Sequence, residues 1–162
     1  MLFSTKAEYG VRLMVELGRR AGSSPVADAE PVALSALAES EMLPLAYLEH
    51  LVAKLRQEGL VSSVRGAHGG YRLTRPPAEI GMLDVVEALE GPITPMECFQ
   101  TDREGRVLCS HESDGDSACA TKLLWTRVQG GINKALTGTT LADLVEFADS
   151  HAPRATLAGN AA

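Results

Sequence analysis

The chain has 162 residues, 45% hydrophobic and 22% charged, which suffices for one ordinary core and excludes a disordered chain. Fifteen basic against 21 acidic residues leave a formal net charge of −6, and aromatic residues make up 4%. An acidic chain with so few rings argues against a non-specific nucleic-acid coat and a single-strand stacking platform. No apolar run approaches the roughly 18 residues of a membrane span. The N-terminal stretch MLFSTKAEYGVRLMVELGRR carries charges at short intervals and no secretory h-region, so a cytoplasmic location is expected.

Residues 5–20 predict a helix, with Ala7, Val11, Met14 and Tyr9, Leu13, Leu17 on a broad apolar face. Thr5 and Glu8 fit a capping box at its start. Residues 21–31 are small, polar and proline-containing, and read as a loop. A short helix over Leu34–Glu41 follows, then a second with Pro44 in its first turn, running to about Glu58 and closed by Gly59. Leu60–Val64 and Tyr71–Thr74 flank the Gly-rich tip RGAHGG and predict a hairpin, stopped by Arg75-Pro76-Pro77. Met82–Leu89 is a helix ended by Gly91-Pro92, and residues 92–118 read as loop. Ala120–Leu136 is a longer helix with Leu124, Val128, Ile132 and Ala135 on one stripe, followed by a helix over Thr140–Ala148 and a frayed tail over 151–162.

Helix, short helix, turn, helix and Gly-tipped hairpin is the order of a winged helix-turn-helix. The predicted fold is therefore mainly α with a small β-hairpin. Residues 1–80 are expected to form the DNA-binding domain, and 81–150 the loop and helices of a second region. Charge supports this division. Residues 44–75 carry five basic residues against two acidic ones, net +3, whereas 1–43 are net −2 and 76–162 net −7. On the helix over 44–58, Leu45, Leu48, Leu51 or Val52, and Leu55 are expected in the core, with Tyr47, His50, Lys54 and Gln57 on an outward stripe. Side chains near the N-terminal end of such a helix reach base edges, which nominates Ala46, Tyr47, Glu49 and His50; a glutamate there can accept from cytosine N4. Lys54 and Arg56 are candidates for phosphate contacts, and Arg65 on the hairpin tip for a narrow minor groove.

The chain has three cysteines, Cys98, Cys109 and Cys119, all within 22 consecutive residues. An odd number does not make a disulfide framework, and the spacing is no CxxC knuckle. Thiolates are soft ligands that select zinc, copper(I) or iron–sulfur clusters, so the residues alone leave the metal open. Cys119 lies at the start of the long helix, where the positive helix end favours a thiolate. A thiol enzyme is disfavoured: His111 is the one histidine near a cysteine in sequence, and no phosphate-binding loop is present.

The run YLEHLVAKLRQEGLVSSVRGAHGGYRLTR closely resembles the IscR–NsrR family of bacterial winged-helix regulators that carry iron–sulfur clusters. The likeness extends through MLFSTKAEYGVRLM, IGMLDVVEALEGP, CATKLLW and TTLADLV, covering residues 1 to about 147. It implies a homodimer on a palindromic double-stranded operator, DNA contacts at Tyr47, Glu49 and His50, and Arg65 on the wing. It further implies a long dimerisation helix and an iron–sulfur cluster, [2Fe-2S] or [4Fe-4S], held by Cys98, Cys109 and Cys119. Some relatives place a histidine ligand three residues after the last cysteine; here that position is Lys122, which cannot serve while protonated. Others use a carboxylate on the first helix, reaching in from the partner subunit, and Glu8 stands at that place. His111, two residues after Cys109, is the alternative fourth ligand. A zinc site or a thiol redox switch in place of the cluster remains the other reading of the three cysteines.

Overall fold

The computed structural model describes residues 3–22, 29–66, 68–96 and 120–151. These form α1 (Thr5–Ala21), α2 (Leu34–Glu41), α3 (Leu45–Gln57), β1 (Val61–Val64), β2 (Gly70–Leu73), α4 (Met82–Glu90), α5 (Ala120–Thr137) and α6 (Leu141–His151), with a 3-10 turn at Pro77–Glu79. Among the described residues the fold is mainly helical with one two-stranded antiparallel hairpin, as expected, and element ends agree to within three residues. Residues 23–28, the cysteine-bearing segment 97–119 and residues 152–162, on which part of the expected loops and the expected frayed tail fall, lie outside the described residues.

Helix α1 packs on α2, α3, β2, α4 and α6. Its apolar face contributes Leu13, Met14 and Leu17 to a core shared with Leu37 of α2, four residues of α3, Val85 and Leu89 of α4, and Leu141 of α6. That core runs from the first helix to the last and crosses residue 80. The α1 N-cap is Ser4, whose hydroxyl accepts from the Lys6 amide, not Thr5. The expected Thr5–Glu8 box does not form because the chain enters the helix one residue earlier. Ser4 is in turn gripped by Glu90 at the end of α4, which accepts from both its amide and its hydroxyl.

Leu48, Leu51, Val52 and Leu55 bury one face of α3, each worth about 1.5–3 kcal/mol of apolar transfer. Leu45, expected with them, is 42% exposed. It is the first helical residue, ahead of the turn at which α3 reaches the body, with Pro44 as N-cap. The hairpin leaves the end of α3 directly: the Leu60 amide donates to Leu55 O at 2.9 Å, and Thr74 Oγ1 donates back to Gly59 O and Leu60 O. The register pairs Val61 with Leu73 and Val64 with Gly70. Val32 adds a bridge on the other side of β2, exchanging two 2.8 Å backbone hydrogen bonds with Tyr71.

A second backbone clip joins α4 to α6. The Met82 amide donates to Thr139 O at 2.9 Å and the Leu141 amide to Ile80 O at 2.9 Å. Thr140 and Asp143 cap α6 reciprocally, and the Thr140 amide and hydroxyl hold the Asp143 carboxyl below its ordinary range. Helix α5 contributes no buried residue; Leu123 and Leu124 are more than half exposed, and Val128 is exposed too.

Candidate nucleic-acid interface

The solvent-facing stripe of α3 is Ala46, Glu49, His50, Ala53, Arg56 and Gln57, which is a helical face at i, i+3, i+4, i+7, i+10 and i+11. Two residues expected on that face lie off it. Tyr47 is half-buried, with its ring edge-on to Tyr9 of α1 at 5.8 Å between centroids. Lys54 is half-buried, and its ammonium donates to Leu89 O at 3.0 Å. A cation at the carbonyl end of α4 complements that helix's dipole, so in this structure the Lys54 ammonium ties α3 to the end of α4. The helix rotation responsible is set by the four buried apolar residues, which place positions 47 and 54 at the edge of the core face.

Arg65 stands exposed at the hairpin tip, and Arg56 is exposed on α3. Arg75, in contrast, pairs with Asp84 at 3.4 Å. The surface of α3 therefore presents one carboxylate, one imidazole and one guanidinium, with the arginine of the wing beside it in sequence. Such a set can donate to and accept from base edges and neutralise backbone phosphates.

Glu8 is exposed on the first turn of α1. Both competing roles for it are taken by other groups: Ser4 caps the helix, and Arg12 pairs with Glu41 at 2.8 Å. Glu8 borders a cleft of about 290 Å³ lined also by Phe3, Thr5, Ala7, Val86 and Leu136. Cys98, Cys109, Cys119 and His111 lie outside the described residues, and α5 begins at Ala120, immediately after Cys119. Among the described residues, no group of three or more histidine, cysteine or acidic side chains is placed to hold a metal ion, and no helix is long and apolar enough to cross a membrane.

A larger cleft of about 770 Å³ between α3 and α4 is lined by Lys54, Arg75 and the carboxylates Glu58, Asp84, Glu87 and Glu90, without a serine, cysteine or histidine. Sequence reasoning missed the pairings Ser4–Glu90, Tyr9–Tyr47 and Arg12–Glu41. Each joins residues 29 or more positions apart, and no local pattern announces them.

The Rrf2 family profile, an iron-dependent transcriptional regulator, matches residues 3–147. The chain is 36% identical over 149 residues to the HTH-type transcriptional regulator CymR of Bacillus subtilis, covering 92% of this chain and 93% of that one. The solved structure of CymR, the global cysteine regulator of B. subtilis, superposes with a TM-score of 0.70 over 91% of this chain and 98% of that one, at 37% identity. The structure of IscR from T. potens does so with a TM-score of 0.69 at 34% identity, over 95% of this chain and 93% of that one. Helix order, hairpin and near full-length similarity agree: the chain belongs to the Rrf2 family and is a DNA-binding transcription regulator, not an enzyme.

Proposed function

We propose that this regulator is a homodimer whose affinity for a palindromic operator is set by an iron–sulfur cluster. One observation carries the reading: all three cysteines of the chain fall in the 22 residues that end at the start of α5, a helix whose apolar face is exposed. Three soft thiolates suit a cluster, and Glu8, left without either of its expected intramolecular partners, supplies a free carboxylate for the remaining position. The donor set thus fits the group: Cys98, Cys109 and Cys119 from one subunit and Glu8 from its partner, with His111 as the competing fourth ligand. A bound cluster would supply a redox- and nitric-oxide-sensitive centre whose carboxylate-held corner exchanges most readily.

In this reading the chain's own residues act as follows. Residues 1–80 supply the DNA-binding unit and 81–150 the cluster-binding loop and dimer helices. Leu123, Leu124 and Val128 bury their exposed surface against the same helix of the second subunit. Cys98, Cys109 and Cys119 would hold the cluster, whose binding free energy would add to that of folding. The dimer then holds its two copies of α3 about one DNA turn, ~34 Å, apart. Ala46, Glu49 and His50 read base edges, with Tyr47 steadying them from the side, Arg56 holds phosphate, and Arg65 enters the minor groove. Loss of the cluster shifts the population of dimer geometries and with it operator affinity.

Native mass spectrometry of anaerobically purified protein, with iron and sulfide analysis, tests this. A dimer carrying iron and sulfide in equal amounts is expected, with altered DNA binding once the cluster is lost. An iron-free protein that binds the same DNA equally well after Cys98, Cys109 and Cys119 are all changed to Ala rejects it. The second reading, a zinc site or thiol switch, draws on the similarity to CymR, a regulator of cysteine. Zinc content of anaerobic protein and disulfide mapping after oxidant separate it from the first.

A further inference from the structure

The first turn of α3, which carries the residues nominated for base contact, is weakly held by α3 itself. Pro44 offers no side-chain cap, Leu45 and Ala46 face solvent, and the buried anchors begin only at Leu48. What braces this turn comes from α1. The Tyr9 ring meets the Tyr47 ring at 5.8 Å and 88°. The Arg12 guanidinium lies over the Tyr9 ring, 5.9 Å from its centroid. Arg12 also reaches the preceding helix: Nε donates to Glu41 Oε2 at 2.8 Å, and Nη2 donates to Glu41 O at 3.0 Å. Glu41 is the last residue of α2, and Met42 in the left-handed region (φ 53°) turns the chain toward α3.

We propose that Tyr9 and Arg12 are positioning residues for sequence discrimination: together they hold both sides of the turn between α2 and α3 and set the angle at which Ala46, Glu49 and His50 meet DNA. The inference rests on α3 being the helix that reads bases. The Arg12–Glu41 pair is 40% and 19% exposed in its side chains, so its direct contribution to stability is small. Its geometry is nonetheless forked, with Nε donating to the carboxylate and Nη2 to the backbone carbonyl, a spacing fixed by the planar guanidinium. A base-reading constellation works only when its orientation is held to within about 10–20°, and an edge-on ring pair resists rotation of the first turn better than an aliphatic contact. Tyr9 and Arg12 touch no base themselves; they act through Tyr47 and Glu41.

The test compares binding to a duplex selected by the wild-type chain from a random library with binding to a scrambled duplex of equal length and composition, at one salt concentration. Tyr9→Leu is expected to weaken selected-site binding roughly tenfold, the upper end of an edge-to-face pair, with scrambled-site binding unchanged. Tyr9→Phe keeps the ring and should retain discrimination. Arg12→Gln should lose several-fold, and Arg12→Lys should not restore it. A variant that merely unfolds lowers both affinities by the same factor, so an equal loss on both duplexes overturns the proposal, as does unchanged selected-site binding in Tyr9→Leu. Glu49→Ala and His50→Ala serve as controls. If they impair discrimination and Tyr9→Leu does not, the positioning role alone falls; if neither does, α3 is not the reading helix and the proposal falls with it.

Discussion

Leu89 of α4 lies so close to Gly10 of α1 that a β-carbon on residue 10 would stand 2.2 Å from Leu89 Cδ1. Leu89 is fully buried and part of the common core, so its side chain cannot swing clear without displacing neighbours. Gly10→Ala gains roughly 1 kcal/mol in helix propensity but overpacks this contact at a cost of about 1–3 kcal/mol. The expected net is destabilisation of up to about 2 kcal/mol, read as a lower denaturation midpoint with unchanged slope. Combining Gly10→Ala with Leu89→Ala should cost less than the two changes added, because the second opens the space the first requires.

The clasp between Ser4 and Glu90 should make stability pH-dependent on the acid side. Desolvation opposes the Glu90 carboxylate, but hydrogen bonds from the Ser4 hydroxyl and amide and the Ala7 amide, with Lys6 nearby, outweigh it and lower its pKa. A carboxyl depressed in the folded state stabilises fully above its unfolded value, and the contribution is lost as pH falls through the folded one. Glu90→Gln should therefore melt lower than wild type at neutral pH, and the gap should shrink as pH is taken below the ordinary glutamate range. A gap that stays constant down to strongly acidic pH would show that the ionised form contributes nothing.

Gly70 is required by a backbone neighbour rather than a side chain. A β-carbon there would stand 2.3 Å from Val32 O, and a carbonyl cannot rotate away as a leucine tip can. Gly70→Ala should break the paired hydrogen bonds between Val32 and Tyr71 while α3 keeps its packing. Faster amide hydrogen exchange at residues 32 and 71, with exchange at the buried residues of α3 unchanged, is the expected signature. Arg65 would then be presented from a looser hairpin, so the minor-groove contact proposed for it should weaken as well.

The exposed stripe of α5 predicts the outcome of a single charge. Leu124 is 56% exposed, and Leu124→Glu removes nothing from the described core. Sedimentation at micromolar concentration should show a monomer in place of the proposed dimer, with helix content preserved. Palindromic DNA should then be bound far more weakly than by wild type, since the two half-sites are no longer linked. A Leu124→Glu protein that remains dimeric would move the interface off this face of α5.

Local pattern was sufficient for the elements and their order. Apolar spacing marks the helices, and Gly and Pro mark the hairpin and its ends, because these signals act within a turn or two of chain. Family membership was legible for the same reason: the run from Tyr47 to Arg75 holds a whole supersecondary unit in contiguous residues. The cysteine cluster is also visible in sequence, but the residue type gives only soft thiolate ligands and leaves the metal open.

Tertiary structure decided which side chains of α1 and α3 face solvent and which are tied into the fold. Tyr47 and Lys54 share an i, i+7 stripe with polar neighbours, yet packing of α3 against α1 and α4 takes one ring and one ammonium out of the outward face. Arg12 could have paired with Glu8 one turn away, but Glu41, brought close by the fold, offers a carboxylate and a carbonyl together. That choice leaves Glu8 without its local partner. Sequence separation hides such contacts, because which distant residues meet depends on how the apolar faces pack into one core.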